Sequence, residues 1–413
     1  MDVLTVITVL IIISAVFSYV NERFIKLPST IGVMVISIIV SIVLLIAGKT
    51  DNGLTKTLIA FAGRIDFSKV LLDVLLGLLL FAGALHFDSK KLKEQRLPVF
   101  VLSTVGVLLS ASVFGGLLHL GARMLHIDFP FIYCILFGAL ISPTDPIAVA
   151  AVLKNSSMPP RLLTIISGES LFNDGVGLVL FVILSDMANP LTENLSFVEI
   201  MKLFAQEVLG GIAIGSLVGY AGYRLMRSIS DLQTIFLLSI AIVLGISIIA
   251  RSLHASGPLA AVSAGLFIGN RNLDRTQIAD RFLTRTWQLL DEVLNTILFV
   301  MIGLQLMVLP FLSNYLLAGT LAIVCILVAR LTSVLLPVIF RLRKVNSSNL
   351  FILTWAGLRG GISVAMALSL PDSPYREIIL ASCYFIVIFS IVVQGLTLNK
   401  VVTKLTGQDV PVQ

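Results

Sequence analysis

Charge is scarce in this sequence. Asp, Glu, Lys and Arg together make up 13% of the 413 residues, whereas a soluble domain carries about 25%. Hydrophobic residues account for 57% of the chain, and the mean hydropathy is +1.02. A soluble core could not bury this much apolar surface, so the lipid bilayer must act as the solvent for much of the chain.

Residues that usually hold cofactors or carry out catalysis are also few. The three cysteines lie singly in apolar runs and the four histidines are scattered, so neither a disulfide framework nor a metal site is expected. The Gly-x-Ser-x-Gly elbow and the His-Glu-x-x-His zinc motif do not occur. We therefore expect no cofactor, and an intramembrane enzyme is the least favoured class of function.

Long apolar runs indicate helices that cross a membrane. A membrane barrel would show alternating strands of roughly ten residues, whereas these runs are continuous and need backbone hydrogen bonds within each segment. The first run has no basic start and no cleavage site, so we expect a retained span instead of a signal peptide. Thirteen spans are predicted, at about 3–20, 30–47, 70–87, 97–118, 131–153, 160–185, 200–223, 232–250, 257–270, 290–308, 312–339, 349–370 and 377–399. The polar segment 271–289 is predicted to be an interfacial linker.

The distribution of basic residues predicts the orientation. Odd-numbered loops and the tail hold 19 Lys and Arg, whereas even-numbered loops hold 7. Basic loops stay in the cytoplasm, so the N-terminus is expected outside and the C-terminus inside the cell. This bias also explains the net charge of +6 without a nucleic-acid partner. The lack of targeting segments and of a long tail favours a prokaryotic plasma membrane.

The fifth predicted span is interrupted near its middle. Pro143 and Pro146 flank Thr144 and Asp145, and each proline removes a backbone donor and clashes with the preceding turn. We expect the helix to break there and to leave unpaired backbone groups beside an acid. An ordinary proline kink is the alternative, but a kink requires no acid at its centre.

The twelfth predicted span carries an arginine among glycines. Gly357, Gly360 and Gly361 surround Arg359, and glycine permits non-helical backbone. The two interrupted spans are seven apart and therefore cross in opposite directions, as expected of two inverted six-helix repeats with two broken crossing helices. This pattern marks the binding site of a secondary transporter, and Asp145 and Arg359 supply charges of both signs to offset the exposed dipoles.

The sixth span contains two acids near mid-depth. A charge there costs at least about 2.5 kcal/mol, so Glu169 and Asp174 are both expected to be functional. They are five residues apart, which points them roughly 140° away from each other on a helix. We therefore expect different roles: Glu169 pairs with Arg359 in a structural clamp between spans 6 and 12, whereas Asp174 belongs to an ion site.

Oxygen groups near this position predict a cation site made by Asp174, Asp145, Thr144 and Ser170. Carboxylate, hydroxyl and carbonyl oxygens favour a small hard cation such as Na⁺. A carboxylate in a poorly solvated cavity can hold either a proton or a cation near neutral pH, and this competition at Asp174 is sufficient for exchange. The alternative is that Asp174 forms another structural pair, but Arg359 is the one basic residue assigned to this core.

Three motifs resemble the monovalent cation:proton antiporter superfamily, in particular the NhaP-type sodium/proton antiporters of bacteria and archaea. The matching stretches are residues 142–146, 168–175 and 357–361. Together with the thirteen spans, the resemblance extends over nearly the whole chain. It implies a homodimer, in which the core of each protomer moves against a dimerisation domain in an elevator-like alternating access.

The resemblance also implies a division of the chain and of the site. The segments are 1–96 (dimerisation helices 1–3), 97–186 (core helices 4–6), 187–311 (connector and dimerisation helices 7–10), 312–405 (core helices 11–13) and 406–413 (a short cytoplasmic tail). The implied Na⁺ ligands are Asp174, Asp145, Thr144 and Ser170, with Asn173 holding the broken fifth span and Glu169 paired with Arg359. Adjacent Asn173 and Asp174 are associated with electroneutral exchange of one Na⁺ per H⁺.

One stretch departs from the family pattern. Members often carry a glutamate near the end of span 3, where this chain has alanine in the stretch 80–85, so no acid is expected from that span and selectivity among Na⁺, Li⁺ and K⁺ can differ. Exchange of Na⁺ or Li⁺ for H⁺ is the leading function, with K⁺/H⁺ exchange on the same fold as the alternative. A cation channel, which would need a continuous pore and no proton coupling, is less favoured.

Overall fold

The chain is all-helical throughout the part described by the computed structural model, which comprises residues 3–47, 67–145, 149, 158–188, 196–271, 273, 278–307, 315–339 and 346–406. Within these ranges, nine helices are long and apolar enough to cross a membrane, and three shorter apolar helices accompany them. With the two short halves of one interrupted helix, this arrangement is consistent with thirteen crossings. The prediction of an all-α polytopic membrane protein is confirmed.

We number fourteen helices in chain order. They are α1 (Val3–Val20), α2 (Ser29–Ala47), α3 (Phe67–Leu85), α4 (Ser89–Met124), α5 (Phe131–Ile141), α6 (Pro160–Ala188), α7 (Phe197–Arg227), α8 (Leu232–Ser252), α9 (Gly257–Gly269), α10 (Ile278–Leu306), α11 (Leu316–Ile339), α12 (Ser347–Trp355), α13 (Gly361–Leu368) and α14 (Arg376–Thr406). α12 and α13 are the two halves of the predicted twelfth span.

α10 differs from the prediction, because much of the expected interfacial linker 271–289 is helical. The helix begins at Ile278, and its apolar residues Ala279, Leu283 and Trp287 recur every four residues and are buried. That spacing places them on one face of the helix, and the Trp287 ring packs 4.9 Å from the ring of Phe81. For residues 278–289 the linker prediction is wrong, because the polar residues between these positions lie on the other faces of an amphipathic helix; residues 272 and 274–277 lie outside the described residues.

The helices form two groups by their mutual packing. α4 packs on α5, α6 and α11, and α14 packs on α11 and α13. In the other group, α9 packs on α3 and α7, α7 packs on α8, and α2 packs on α10. The helices of the first group lie mainly in the segments predicted as core and those of the second in the segments predicted as dimerisation domain; the division into these domains stays a prediction.

Small polar residues bring α2 and α10 together. Ser37 Oγ donates to Val300 O at 3.2 Å and Ser41 Oγ donates to Gly303 O at 2.7 Å. A side chain on Gly303 would overlap Ser37, so close approach of the two helices requires glycine there. Small residues and hydroxyl groups commonly mediate helix packing in membranes. This contact fixes the position of α10, whose preceding turns face the interrupted helices.

Candidate cation site

The two interrupted helices meet at their breaks. α5 ends at Ile141 and residues 142–145 continue as non-helical backbone, while residues 356–360 separate α12 from α13. The backbone N–H of Asp145 donates to Leu358 O at 2.8 Å. A backbone hydrogen bond therefore joins the two breaks directly. Pro146, the second proline of the predicted fifth-span break, lies outside the described residues.

Each break carries a charged residue that lies at the helix end of the other break and offsets the dipole there. The buried Arg359 guanidinium donates to Ser142 O and, at 2.8 Å, to Pro143 O, so it compensates the negative C-terminal end of α5. The Asp145 carboxylate lies against Gly360, where an added Cβ would overlap it. Gly360 precedes α13, so this acid lies at the positive N-terminal end of that helix.

Asn173 of α6 holds the non-helical segment in place. Its Nδ2 donates to Thr144 Oγ1 at 2.8 Å, and its Oδ1 accepts from Thr144 N at 3.3 Å. Thr144 Oγ1 and Ser170 Oγ are 2.7 Å apart and share a hydrogen bond. All three side chains are buried, so the amide fixes two hydroxyl oxygens next to the break.

Asp174 is a deeply buried acid whose carboxylate can bind a cation. Its side chain is 1% exposed, and its Oδ2 has no hydrogen-bond partner in the described part of the chain. The Asp145 carboxylate repels it, and the Arg359 guanidinium attracts it. A buried charge is costly without a partner. The position therefore suits an ion or a proton as the missing partner.

A cavity of about 850 Å³ reaches these residues. Thr144, Asp145 and Asp174 line one wall, together with the start of α13 at Gly360 and Gly361. The cavity extends to helix ends at residues 26–30 and 86–87, which lie in or directly next to the loops predicted to be cytoplasmic. The structure thus brings Asp174, Asp145 and Thr144 onto one cavity wall, with Ser170 bonded directly behind Thr144.

The predicted partner of Glu169 is wrong. Glu169 forms a buried, two-pronged ion pair with Arg330 of α11: Arg330 Nη2 donates to Glu169 Oε2 at 2.9 Å, and Nη1 donates to Oε1. Arg330 also donates to Leu353 O at 3.2 Å. Arg359 instead binds the carbonyls at the end of α5. Among the described residues of the core, two arginines are therefore buried, Arg330 and Arg359, and the ion pair joins α6 to α11. The role of Arg330 could have been suspected from the sequence, because Arg330 carries the single charge inside the apolar run 312–339.

Sequence reasoning also missed two polar residues on α10. Asp291 and Asn295 line the same cavity as Asp174. Asn295 Nδ2 donates to Asp291 Oδ1 at 3.0 Å and to Asp291 O at 2.8 Å. Their spacing of four residues next to an apolar stretch was the available signal, because it places both on one helix face.

Comparisons with known proteins agree on one family. The family model described as "sodium/hydrogen exchanger, transmembrane" matches residues 10–404. The Na⁺/H⁺ antiporter NhaP of Pseudomonas aeruginosa is 41% identical over 414 residues, covering 97% of each chain. The Na⁺/H⁺ antiporter NhaH of Halobacillus aidingensis is 30% identical over 351 residues, covering 82% of this chain and 84% of its own.

A solved structure shares the fold. The sodium proton antiporter MjNhaP1 from Methanocaldococcus jannaschii, at pH 8, superposes with a TM-score of 0.79 over 99% of this chain and 100% of its own. The sequence identity is 17%, so this likeness concerns the arrangement of the helices alone.

Proposed function

This chain belongs to the transmembrane sodium/hydrogen exchanger family, and we propose that it exchanges Na⁺ for H⁺ across the membrane by alternating access. The observation that carries the proposal is Asp174, a buried carboxylate in the lining of an open cavity, with one oxygen that has no hydrogen-bond partner among the described residues. Either a proton or a cation can neutralise that charge, and each excludes the other. Competition at one carboxylate couples the two fluxes.

The Na⁺ ligands we propose are Asp174, Asp145, Thr144 and Ser170. Their carboxylate and hydroxyl oxygens suit a hard cation, and the contacts from Asn173 hold Thr144 in a fixed position. Because α13 begins beside Asp145, its N-terminal dipole stabilises that acid when Asp174 becomes protonated. The cation leaves when Asp174 takes up a proton, and it rebinds when the proton departs.

We propose a stoichiometry of one Na⁺ per H⁺. Asn173, next to Asp174, has an uncharged amide that cannot take up a second proton. Li⁺ has the same charge and ligand preference, so we expect it to be a second substrate. K⁺ is not favoured, since the named relatives are Na⁺/H⁺ antiporters.

Flux in proteoliposomes tests this function. With an imposed pH gradient and an internal pH dye, addition of Na⁺ or Li⁺ is expected to collapse the gradient, and K⁺ is expected to do so weakly. Clamping the membrane potential at different values should leave the rate unchanged, because one charge moves each way. Protein-free liposomes provide the background. Absence of cation-dependent proton flux would contradict the proposal, and a response to K⁺ alone would favour K⁺/H⁺ exchange.

We propose that the N-terminus is outside the cell and the C-terminus is cytoplasmic. The native cysteines Cys134, Cys325 and Cys383 are buried, so a single introduced cysteine would give the thiol-labelling signal. An impermeant maleimide applied to intact cells is expected to label Arg123→Cys and not Lys93→Cys, both of which are exposed positions near opposite ends of α4. The reverse pattern would invert the topology. With this topology the cavity opens to the cytoplasm.

We also propose a homodimer in which core helices move against the other group. Apolar side chains on α7 and α8 are exposed, including Leu209, Leu217, Leu237 and Ile248, and lipid or a second protomer would cover them. Segments 97–186 and 312–405 would form the moving core. Light scattering of the purified protein would distinguish a dimer from a monomer.

A further inference from the structure

The α10 wall of the cavity carries an amide oxygen with no partner. Asn295 is 0% exposed, and both hydrogens of its Nδ2 are used by Asp291, on the carbonyl and on the carboxylate. Its Oδ1 has no hydrogen-bond partner within the described ranges. If the amide group of Asn295 were rotated by 180°, its oxygen would face the two acceptor oxygens of Asp291. The hydrogen bonds therefore determine the orientation of the amide. A buried acceptor without a donor is unfavourable, which points to a ligand that binds oxygen.

The charges around the cavity are mostly negative. The Asp145 carboxylate repels both Asp174 and Asp291, and Glu292 adds to the repulsion on Asp291. Among the lining residues, the basic groups are Lys26 and His86, which lie at the far end. Repulsion among acids is relieved when a cation or a proton enters. The cavity therefore concentrates cations at its inner end.

We propose that Asp291 and Asn295 form a second cation subsite, where Na⁺ binds on its way between the cavity and Asp174. The subsite would offer a carboxylate oxygen of Asp291 and the carbonyl oxygen of Asn295, both ligands of hard cations. The remaining ligands would be water, because the cavity has room for a partly hydrated ion. The inference rests on the proposed function, since it concerns the same transported ion.

The second subsite is separate from the first. No three His, Cys, Asp or Glu side chains among the described residues converge closely enough to hold a metal ion. The carboxylates of Asp145, Asp174 and Asp291 therefore do not form a single group, and in the proposal the ion passes from Asp291 to Asp174. α3 faces the same cavity with Gly83 and contributes no acid there, so α10 supplies the acid opposite the core.

A purely structural role for the pair makes a different prediction. The Asn295–Asp291 contacts also close a helix turn, and loss of such contacts would lower thermal stability and leave the dependence of the rate on Na⁺ unchanged. A subsite on the path from the cavity to Asp174 would instead affect how readily the protein captures the ion. Its loss raises the apparent KM with little change in maximal rate, because the exchange step at Asp174 is intact.

The test measures initial rates of proton flux against Na⁺ concentration in proteoliposomes. Asp291→Asn is expected to raise the apparent KM for Na⁺ about tenfold, or about 1.4 kcal/mol, with the maximal rate within about twofold. Asp291→Glu should restore most of the affinity because it keeps the charge. Asp372→Asn is the matched control, since it makes the same change at a fully exposed acid, and its KM should equal that of the unmodified protein.

The possible outcomes distinguish failure of the proposed Na⁺/H⁺ exchange from failure of the second cation subsite. An unmodified protein without Na⁺-dependent flux contradicts the proposed function. A functioning unmodified protein with the same KM in Asp291→Asn overturns the second subsite, and a lowered melting temperature with that same KM assigns the pair to structure alone. If Asp291→Asn does not fold, Asn295→Ser replaces it: a raised KM supports the subsite, and an unchanged KM overturns it.

Discussion

Replacing Asp174 by alanine is expected to remove Na⁺-dependent proton flux. Under the proposed mechanism this carboxylate carries the proton in one state and binds the cation in the other, so its loss affects both halves of the cycle. Loss of one charge-assisted contact of about 3 kcal/mol already corresponds to about 100-fold. The flux should therefore fall to that of protein-free liposomes.

The same substitution should leave the folded protein intact. Asp174 is buried with an oxygen that lacks a partner in the described residues, and a buried charge without a partner is destabilising. Its removal is not expected to lower the melting temperature. Arg359 keeps its contacts with Ser142 O and Pro143 O, so no buried arginine is left without an acceptor. Loss of transport with retained stability distinguishes an exchange residue from a structural acid.

Two variants make this test specific. Asp174→Asn preserves the shape of the side chain and removes the titratable charge, so it is expected to be as inactive as Asp174→Ala. Asp186→Ala makes the alanine change on the same helix at an exposed position outside the cavity lining, and it should exchange Na⁺ at the normal rate. Flux that survives at Asp174→Ala would move the exchange site to another acid and leave the family assignment unchanged.

Local rules of chain geometry predicted the two breaks. Proline at position 143 and glycine at positions 360 and 361 act through backbone geometry, which depends on the residue itself and its immediate neighbours. The helical period likewise separated Glu169 from Asp174, and the structure directs them to different surroundings. These features can be predicted from a sequence because each depends on residues a few positions apart.

Contacts between distant helices were not predictable in the same way. Glu169 and Arg330 are 161 positions apart, and helical periodicity shows which residues share a face without showing which helix lies opposite. Two arginines were available, and the choice depended on the carbonyls that the break in α5 leaves exposed. Asp291 was missed for a related reason: its relevance comes from the cavity between two groups of helices, which exists only in the assembled fold.

Arg330→Ala is expected to lower both the yield of folded protein and the melting temperature of the protein that does fold. The substitution leaves Glu169 charged and buried, and breaking a buried ion pair on one side costs about 3–5 kcal/mol, a large part of the stability of about 5–15 kcal/mol that proteins typically have. Glu169→Ala should have a similar effect, because it leaves the Arg330 guanidinium buried with Leu353 O as a neutral acceptor. Arg251→Ala is the control: its ion pair with Asp73 is largely exposed, and such pairs contribute about 0–1 kcal/mol.

Removing both charges should restore much of the loss. Replacement of a buried ion pair by apolar residues of similar volume is often neutral or stabilising, so the Glu169→Leu, Arg330→Met double variant should melt above either single alanine variant. A double-mutant cycle on melting in detergent isolates the pairwise energy, and it should show strong coupling between Glu169 and Arg330. The cycle between Glu169 and Arg359 should show weaker coupling, since Arg359 binds the carbonyls of α5 instead. If the coupling energy between Glu169 and Arg359 were the larger one, Arg359 would be the ion-pair partner of Glu169, and Arg330 would have no role in holding α6.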